Sequence, residues 1–156
     1  REDDFKYLLL YAYDKTFNNG EEIYGVDFVL NNIDKFEENI KLVLLDLSGK
    51  YAEQASNCAE RVIYINTPVN FMGLLKQIDV YLRPTCMDGA SVAVQEALMT
   101  NTPVLASDVV DRPDLVSTYE YGNINDFIQK LKTIKPLPNT LKLKSVKQYV
   151  EFCENL

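Results

Sequence analysis

Two acidic residues eight positions apart, Asp88 and Glu96, enclose a run of small residues in the second half of the chain. The pattern predicts a buried strand ending at Arg83, a loop, and a helix that begins near Ala90. Free amides at a helix start bind anions such as a diphosphate, and small side chains let a ligand approach the backbone. At a helical rise of roughly 1.5 Å per residue, the two carboxylates stand about 10 Å apart along the axis. This separation suits a nucleotide-sugar, because its hydroxyl-rich rings flank a diphosphate and carboxylates accept hydrogen bonds from hydroxyls.

Two further residues are candidates for the same ligand. Lys15 lies in a polar segment after the first predicted strand, where it is either a phosphate partner or a solvated loop residue. Tyr13 lies at the end of that strand, where it lines the expected cleft. Arg112 precedes Pro113, and we interpret it as a surface or turn residue, with contact to a ligand as the alternative.

Several classes of chemistry are excluded by the residue types. The chain has no histidine, which excludes His-based triads, His metal ligands and His general bases. Its three cysteines, Cys58, Cys86 and Cys153, form no close pair, so neither a disulfide framework nor a thiol zinc site is predicted. Cys86 lies near Asp88 without a His or Cys partner, and we interpret it as a lining residue. We therefore expect neither a metal nor a cofactor.

The composition is that of a globular domain. The 156 residues are 47% apolar and 25% charged, the ordinary mixture of folded proteins. No apolar run approaches the roughly 20 residues that span a bilayer. The net charge of -7 disfavours binding of long nucleic acids. With reduced cysteines and no signal-peptide pattern, the expected location is the cytoplasm.

Short apolar runs bounded by turn residues alternate with segments of helical spacing. This alternation predicts a Rossmann-like α/β fold, a three-layer sandwich with a parallel sheet of about six strands. The predicted strands are Phe5–Tyr13, Lys41–Asp46, Arg61–Ile65, Val80–Arg83, Pro103–Ala106 and Thr118–Tyr121. The predicted helices are Tyr24–Phe36, Lys50–Ala59, Asn70–Lys76, Ser91–Thr100 and Asn125–Thr133, with Ser48 and Asn123 as N-caps. The polar insert Asp14–Glu22 is expected to be a long loop.

The domain is expected to cover residues 1–134. Two prolines in the segment Lys135-Pro136-Leu137-Pro138 break the pattern, so residues 135–156 are predicted to be a linker and an appended C-terminal helix over Ser145–Leu156.

The segment from Asp88 to Asp108 resembles a known motif. It reads D-G-A-S-V-A-V-Q-E-A-L-M-T-N-T-P-V-L-A-S-D, which is similar to E-G-F-G-x-x-x-x-E-A-M-A-x-G-x-P-V-I-A-S-D of the retaining glycosyltransferases of family 4, often called group 1, which have the GT-B fold. Further segments resemble this family at Phe28–Ile33, Ser107–Val116, Gly122–Leu131 and Ser145–Tyr149.

The resemblance implies roles for the motif residues. Glu96 would bind the nucleotide ribose, Asp88 would contact the transferred sugar as the catalytic position, and the helix-entry amides would hold the diphosphate. The implied nucleotide-sugar contacts are Tyr13, Lys15, Gly89, Ala90, Ser91, Val92 and Glu96. The chain would be the donor-binding, C-terminal domain of an enzyme of polysaccharide biosynthesis whose N-terminal domain holds a glycan or lipid acceptor. Any peripheral contact with a membrane would belong to that other domain.

The chain departs from the family pattern where a cation is expected. The family has an Arg and a Lys in a G-R-L-x-x-x-K-G segment after the first strand, whereas Tyr24 precedes the matching Gly25 here and Lys15 is the only nearby cation. We therefore expect weak donor binding and an inactive isolated domain. The alternative is a degenerate module that binds a nucleotide-sugar or a protein without turnover. A receiver-type signalling domain is disfavoured, because Asn66 stands where an Asp is required.

Overall fold

A six-stranded sheet organises residues 4–138, the part of the chain described by this computed structural model. Its strands are β1 (Lys6–Ala12), β4 (Ile40–Asp46), β5 (Val62–Ile65), β6 (Val80–Arg83), β7 (Val104–Ser107) and β8 (Ser117–Tyr119). All of their pairings are parallel. The predicted α/β fold and its six parallel strands are confirmed, with the ends of the strands shifted by at most one or two residues.

The helices between these strands cover both faces of the sheet. They are α1 (Val26–Leu30), α2 (Ala52–Ser56), α3 (Phe71–Leu75), α4 (Val92–Met99) and α5 (Ile124–Thr133). Side chains of α1, α2 and α5 share one apolar cluster with Leu8 and Leu10 of β1, while side chains of α3 and α4 share another with Leu9. Because successive strand residues point to opposite faces, one strand supplies both clusters. The three predicted layers are thereby confirmed.

The order of the strands creates a crevice at one edge of the sheet. Across the sheet the order is β5-β4-β1-β6-β7-β8, so the chain starts at the centre, builds outward on one side, and then crosses to the other side at β6. Ligands of open α/β sheets bind outside the carboxyl ends of the strands at such a reversal. Here the reversal lies between β1 and β6, whose last residues are Ala12 and Arg83.

The insert after β1 is not a simple loop. It contains a small antiparallel hairpin of β2 (Phe17–Asn18) and β3 (Glu21–Glu22). Asn19 and Gly20 connect the strands with φ angles of 50° and 84°. Asn and Gly tolerate positive φ, which a two-residue hairpin turn of this kind requires. The expectation of a long loop over Asp14–Glu22 is corrected accordingly.

Two local predictions about helices are also corrected. The predicted helix Tyr24–Phe36 is interrupted, because α1 ends at Leu30 and a separate 3₁₀ turn follows at Ile33–Lys35. Ser48 does not cap α2, whose N-cap is Tyr51. The buried Asp46 carboxylate accepts hydrogen bonds from the Tyr51 amide and from both the amide and hydroxyl of Ser48. Asp46 thus orders the turn before α2, but the helix itself begins without a side-chain cap. Asn123 does cap α5, as predicted.

The predicted C-terminal helix Ser145–Leu156 lies outside the described residues, so the proposed division at residue 135 stays a prediction. None of the helices in residues 4–138 combines the length and apolar character needed to cross a membrane.

Candidate functional site

The loop between β6 and α4 positions the predicted motif at the carboxyl edge of the sheet. Ser91 is the N-cap of α4, and its hydroxyl accepts a hydrogen bond from the Val94 amide at 3.3 Å. The helix therefore begins at Val92, slightly later than the predicted start near Ala90. Gly89, Ala90 and the Val92 side chain are exposed around this start. The start of α4 thus lies beside an exposed part of the surface, as an anion site requires.

Asp88 is held between two arginines. Its Oδ1 accepts from Nη2 of Arg83 at 2.8 Å and from the Gly89 amide at 3.0 Å. Its Oδ2 accepts from Nε of Arg83 at 3.0 Å and from Nη1 of Arg112 at 2.7 Å. Burial alone would raise the pKa of Asp88, but the two guanidinium groups lower it. Asp88 is therefore an ionised carboxylate paired with two cations.

Glu96 has quite different surroundings. It lies on α4 beside an apolar groove of about 350 Å³ that opens at the carboxyl edge of the sheet. Besides Glu96, the groove is lined by Tyr11, Leu45, Leu47, Pro68, Val69, Phe71, Val92 and Ala93. Burial raises the pKa of the Glu96 carboxyl. The groove combines one hydrogen-bonding carboxylate with apolar walls, which is the composition of small-molecule sites.

The groove lies close to Arg83, because Tyr11 of β1 is near both of them. Tyr11 lines the groove and is near enough to Arg83 and Glu96 for both charges to influence its pKa, which burial raises. Arg83 ends β6, the strand next to β1, and its guanidinium lies 5.7 Å from the centre of the Tyr24 ring. Tyr13 follows β1 and is 66% exposed. The structure thus places Tyr13, Glu96 and the loop containing Asp88 at one edge of the sheet, and their contacts with a ligand stay a prediction.

Lys15 already has protein partners on α1 and α2. Its Nζ donates to Oε1 of Gln54 at 2.6 Å, stands 3.6 Å from Oδ1 of Asp27, and lies 4.7 Å from the centre of the Tyr51 ring. These contacts tie the loop after β1 to α1 and α2. The predicted contact between Lys15 and phosphate stays a prediction.

Arg83 is a functional candidate that sequence reasoning missed, and Arg112 is one that it interpreted first as a surface or turn residue. Lys15 is not the only cation near the motif, and Arg112 is not a surface residue, because its side chain is only 4% exposed. Arg83 could have been identified from the sequence as a site residue, because it is a charged residue at the end of an apolar strand. For Arg112 the sequence offers no comparable signal, since 24 positions separate it from Asp88.

An internal carboxylate occupies the start of α1. Glu22 is buried, and its Oε1 accepts from the Tyr24 amide at 2.9 Å and from the Tyr51 hydroxyl at 2.6 Å. Its Oε2 accepts from the Asp27 amide at 3.3 Å. Carboxylates at this position satisfy unpaired helix amides. The Asp27 amide in the first turn of α1 and the Tyr24 amide just before the helix are therefore already engaged by the protein itself.

The remaining titratable groups of the loop provide no nucleophile or metal site. Burial raises the pKa of the Cys86 thiol, the opposite of what an active thiolate needs, in agreement with its interpretation as a lining residue. Within residues 4–138, no group of three or more His, Cys, Asp or Glu side chains is arranged to hold a metal ion. A second groove, of about 270 Å³, lies at the opposite edge of the sheet, next to Lys6 and Asp79. It lies away from the strand reversal.

Comparison with known proteins gives a match in structure but not in sequence. No protein-family model matches the chain, and no curated protein matches it. Among solved structures, the apo form of the lipopolysaccharide outer core galactosyltransferase WaaB superposes with a TM-score of 0.67 and 18% identity, over 83% of this chain and 40% of that one. HepE of Anabaena in complex with UDP-glucose has a TM-score of 0.65 and 12% identity, over 83% of this chain and 39% of that one.

A third structure corresponds to a single domain. The C-terminal domain of the group 1 glycosyltransferase LpcC from Francisella tularensis has a TM-score of 0.59 and 12% identity, over 82% of this chain and 73% of that one. By contrast, the present chain spans only 40% of WaaB. At these identities the similarity establishes the fold. The chain has the Rossmann-like fold found in group 1 glycosyltransferases of the GT-B type, in agreement with the resemblance of its motif.

Proposed function

We propose that the chain is the donor-binding domain of a retaining glycosyltransferase and holds a nucleoside diphosphate sugar at the carboxyl edge of its sheet. The observation that carries the proposal is the position of Glu96, a carboxylate beside an apolar groove at the reversal of the strand order. A nucleoside has a flat apolar face and two vicinal hydroxyls. The groove walls suit the base, and Glu96 suits the hydroxyls.

The start of α4 is the second part of this proposed site. The amides around Ala90, Ser91 and Val92 lie at the start of the helix that carries Glu96 about one turn further on, so a diphosphate attached to the nucleoside would reach them. In this proposal the domain contributes to sugar transfer by positioning the donor and stabilising the leaving diphosphate, without a metal or a cofactor. The acceptor, a glycan or a lipid, would be bound by a domain outside these 156 residues. Such an enzyme would act on the cytoplasmic side.

The fold comparison supports the choice of ligand. HepE of Anabaena has been solved in complex with UDP-glucose and with UDP, and its structure superposes on 83% and 82% of this chain, respectively. A ligand of the same chemical class is therefore the first to test here. The titration described next compares different bases and the presence of a sugar.

Calorimetric titration of the chain with UDP, GDP, ADP and their glucose conjugates tests the proposal. We expect one base to bind with a dissociation constant in the micromolar to millimolar range, and Glu96→Ala to weaken that binding about tenfold or more, because a hydrogen-bonded carboxylate is lost. Glu53→Ala is the matched control, since Glu53 is an exposed glutamate on α2. Absence of binding at millimolar ligand would contradict the donor role.

A non-catalytic binding module is the second candidate. It is favoured by Glu22, whose carboxylate engages the Tyr24 and Asp27 amides at the start of α1 and adds negative charge near the loop containing Cys86. Such a domain would bind nucleotide without transferring sugar. Joining it to its acceptor-binding domain and measuring sugar transfer separates the two candidates, because turnover would exclude the module.

A further inference from the structure

The hydrogen bonds of Asp88 leave its carboxylate without spare acceptor capacity. An ionised carboxylate offers about four acceptor positions. Arg83 takes two of them, Arg112 takes one and the Gly89 amide takes the fourth, all at distances between 2.7 and 3.0 Å. The Asp88 side chain is only 5% exposed. A sugar hydroxyl could bind Asp88 only by displacing one of these donors.

The cluster of Arg83, Asp88 and Arg112 carries a surplus of positive charge. Two guanidinium groups face one carboxylate, which gives the cluster a net charge of about +1. Arg83 ends β6 at the strand reversal, and Asp88 lies three residues before Ser91, the N-cap of α4. The surplus charge therefore lies beside the helix start where an anion is expected. In a chain with a net charge of -7, a local cationic centre is what retains an anionic ligand.

Arg112 has one donor group that no atom of residues 4–138 satisfies. Its Nε donates to the Ser107 carbonyl at 3.2 Å and its Nη1 to Asp88. Its Nη2 is buried and has no acceptor among the described residues. Buried polar groups in folded proteins almost always have partners, and an unpaired one at a site indicates a ligand or a functional role. Phosphate and carboxylate oxygens are the acceptors that pair with such a guanidinium fork.

We propose that Arg83 and Arg112, oriented by Asp88, form the cationic side of a diphosphate subsite between the end of β6 and the start of α4. This inference rests on the proposed donor-binding function and assigns the diphosphate contacts to residues that the sequence motif does not include. Asp88 is then a positioning residue, which acts through the two guanidinium groups instead of touching the transferred sugar.

The test compares three ligands that share parts of the donor. Uridine, UDP and inorganic pyrophosphate are titrated into the full chain, with the nucleoside replaced by guanosine or adenosine if those diphosphates bind better. We expect Arg112→Gln and Arg83→Gln each to weaken UDP and pyrophosphate about tenfold, because a charge-assisted hydrogen bond is lost, and to leave uridine affinity unchanged. Arg112→Lys keeps the charge but loses the fork, so we expect an intermediate affinity.

Arg61→Gln is the matched control. Arg61 also donates to main-chain carbonyls, those of Ile40, Phe36 and Glu37, but it lies at the opposite edge of the sheet. Arg61→Gln removes one positive charge, as Arg83→Gln and Arg112→Gln do, but far from the proposed subsite. The affinities for UDP and pyrophosphate should therefore stay within about twofold of the wild type. Thermal unfolding of each variant confirms that the protein being titrated is folded.

Asp88 provides a readout that a purely electrostatic effect cannot imitate. Removing its negative charge in Asp88→Ala should tighten anion binding if only the net charge matters. If Asp88 orients the arginines, the same variant weakens pyrophosphate binding and leaves uridine binding unchanged, and Asp88→Glu restores part of the affinity. Tighter pyrophosphate binding by Asp88→Ala would overturn the positioning role.

The results also separate this inference from the proposed function. If the wild-type chain binds UDP and the three arginine variants bind UDP and pyrophosphate equally well, the arginine subsite is wrong while donor binding stands. If no nucleoside diphosphate or pyrophosphate binds the wild type, the donor site and the arginine subsite are both wrong.

Discussion

Asp88 and Glu96 belong to one motif, yet the folded chain gives their carboxyl groups opposite surroundings. Two arginines lower the pKa of Asp88, whereas burial beside an apolar groove raises the pKa of Glu96. When the surroundings shift the pKa values of two neighbouring carboxyl groups in opposite directions, the two groups commonly have different roles. Glu96 has the character of a ligand-binding group whose charge destabilises the free domain, while Asp88 is already satisfied by protein donors.

The raised pKa of Glu96 predicts a pH-dependent stability difference. A carboxyl whose pKa is higher in the folded than in the unfolded state favours folding when protonated and loses that advantage as the pH rises. We therefore expect Glu96→Gln to melt at the same temperature as the wild type below the ordinary carboxyl pKa of about 4.3. Above it, the variant should become the more stable of the two. Thermal unfolding from pH 4 to 8 measures this difference.

Nucleotide binding by the same Glu96→Gln variant provides a second measurement. Glu96→Gln should weaken nucleotide binding at pH 7 even though it stabilises the free domain, since stability and binding make opposite demands on a buried site charge. A variant that is less stable than the wild type at pH 7 would show that protein contacts, and not desolvation, dominate at Glu96.

At the scale of elements, the site depends on how closely α1 approaches the loop after β6. Gly25 precedes α1 with a φ of 73°, and a Cβ added there would lie 2.1 Å from the carbonyl oxygen of Pro84. The Cys86 amide donates to the Ile23 carbonyl at 3.1 Å in the same region. The segment between the β2–β3 hairpin and α1 therefore contacts the loop after β6 through its backbone. This close approach requires a glycine at position 25.

Gly25→Ala is therefore expected to destabilise the domain by more than the conformational cost alone. A left-handed alanine costs about 1–2 kcal/mol, and the contact with Pro84 adds the cost of moving backbone. Gly49→Ala is the control, because Gly49 has a φ of 74° but no atom within 4 Å of the added Cβ. Urea unfolding measures both free energies. Equal losses in the two variants would show that the approach to Pro84 is easily relaxed.

At the scale of the whole molecule, the two faces of the sheet serve different purposes. One face carries the aromatic cluster of Phe28, Phe36, Tyr119 and Phe127, with ring centroids between 5.0 and 5.9 Å apart. The other face carries α3 and α4, whose first turns border the groove next to Glu96. We infer that the aromatic face mainly contributes stability, whereas the α3–α4 face contributes the binding site.

This division predicts separable effects of core and site substitutions. Phe127 is fully buried, so Phe127→Ala should lower the free energy of unfolding by about 3–5 kcal/mol. Molecules of the variant that remain folded should bind nucleotide with nearly unchanged affinity, because the aromatic cluster lies across the sheet from the groove. Phe17→Ala, at a residue 56% exposed, is the control with little effect on stability. Loss of affinity in folded Phe127→Ala would contradict the division.

The sequence by itself determined the class of fold and the place of the motif. Apolar strand runs such as Val80–Arg83 and the Asn123 cap are local signals, because strand burial and capping depend on residues within a few positions. Ser48 resembled a cap, but its amide and hydroxyl both donate to Asp46, and α2 begins after Tyr51 without a side-chain cap. Which nearby partner a serine binds is decided by the folded turn and not by residue spacing alone.

Only the tertiary structure decided which charges meet. Arg112 is 24 positions from Asp88 in sequence, and parallel strands β6 and β7 with their loops bring the two within 2.7 Å. The same packing joins Glu96 of α4 to Val69 and Tyr11 from other elements around one groove. Local patterns predict elements because their hydrogen bonds and side-chain spacing are local. The site depends on distant residues meeting at one edge of the sheet, and that is fixed by strand order.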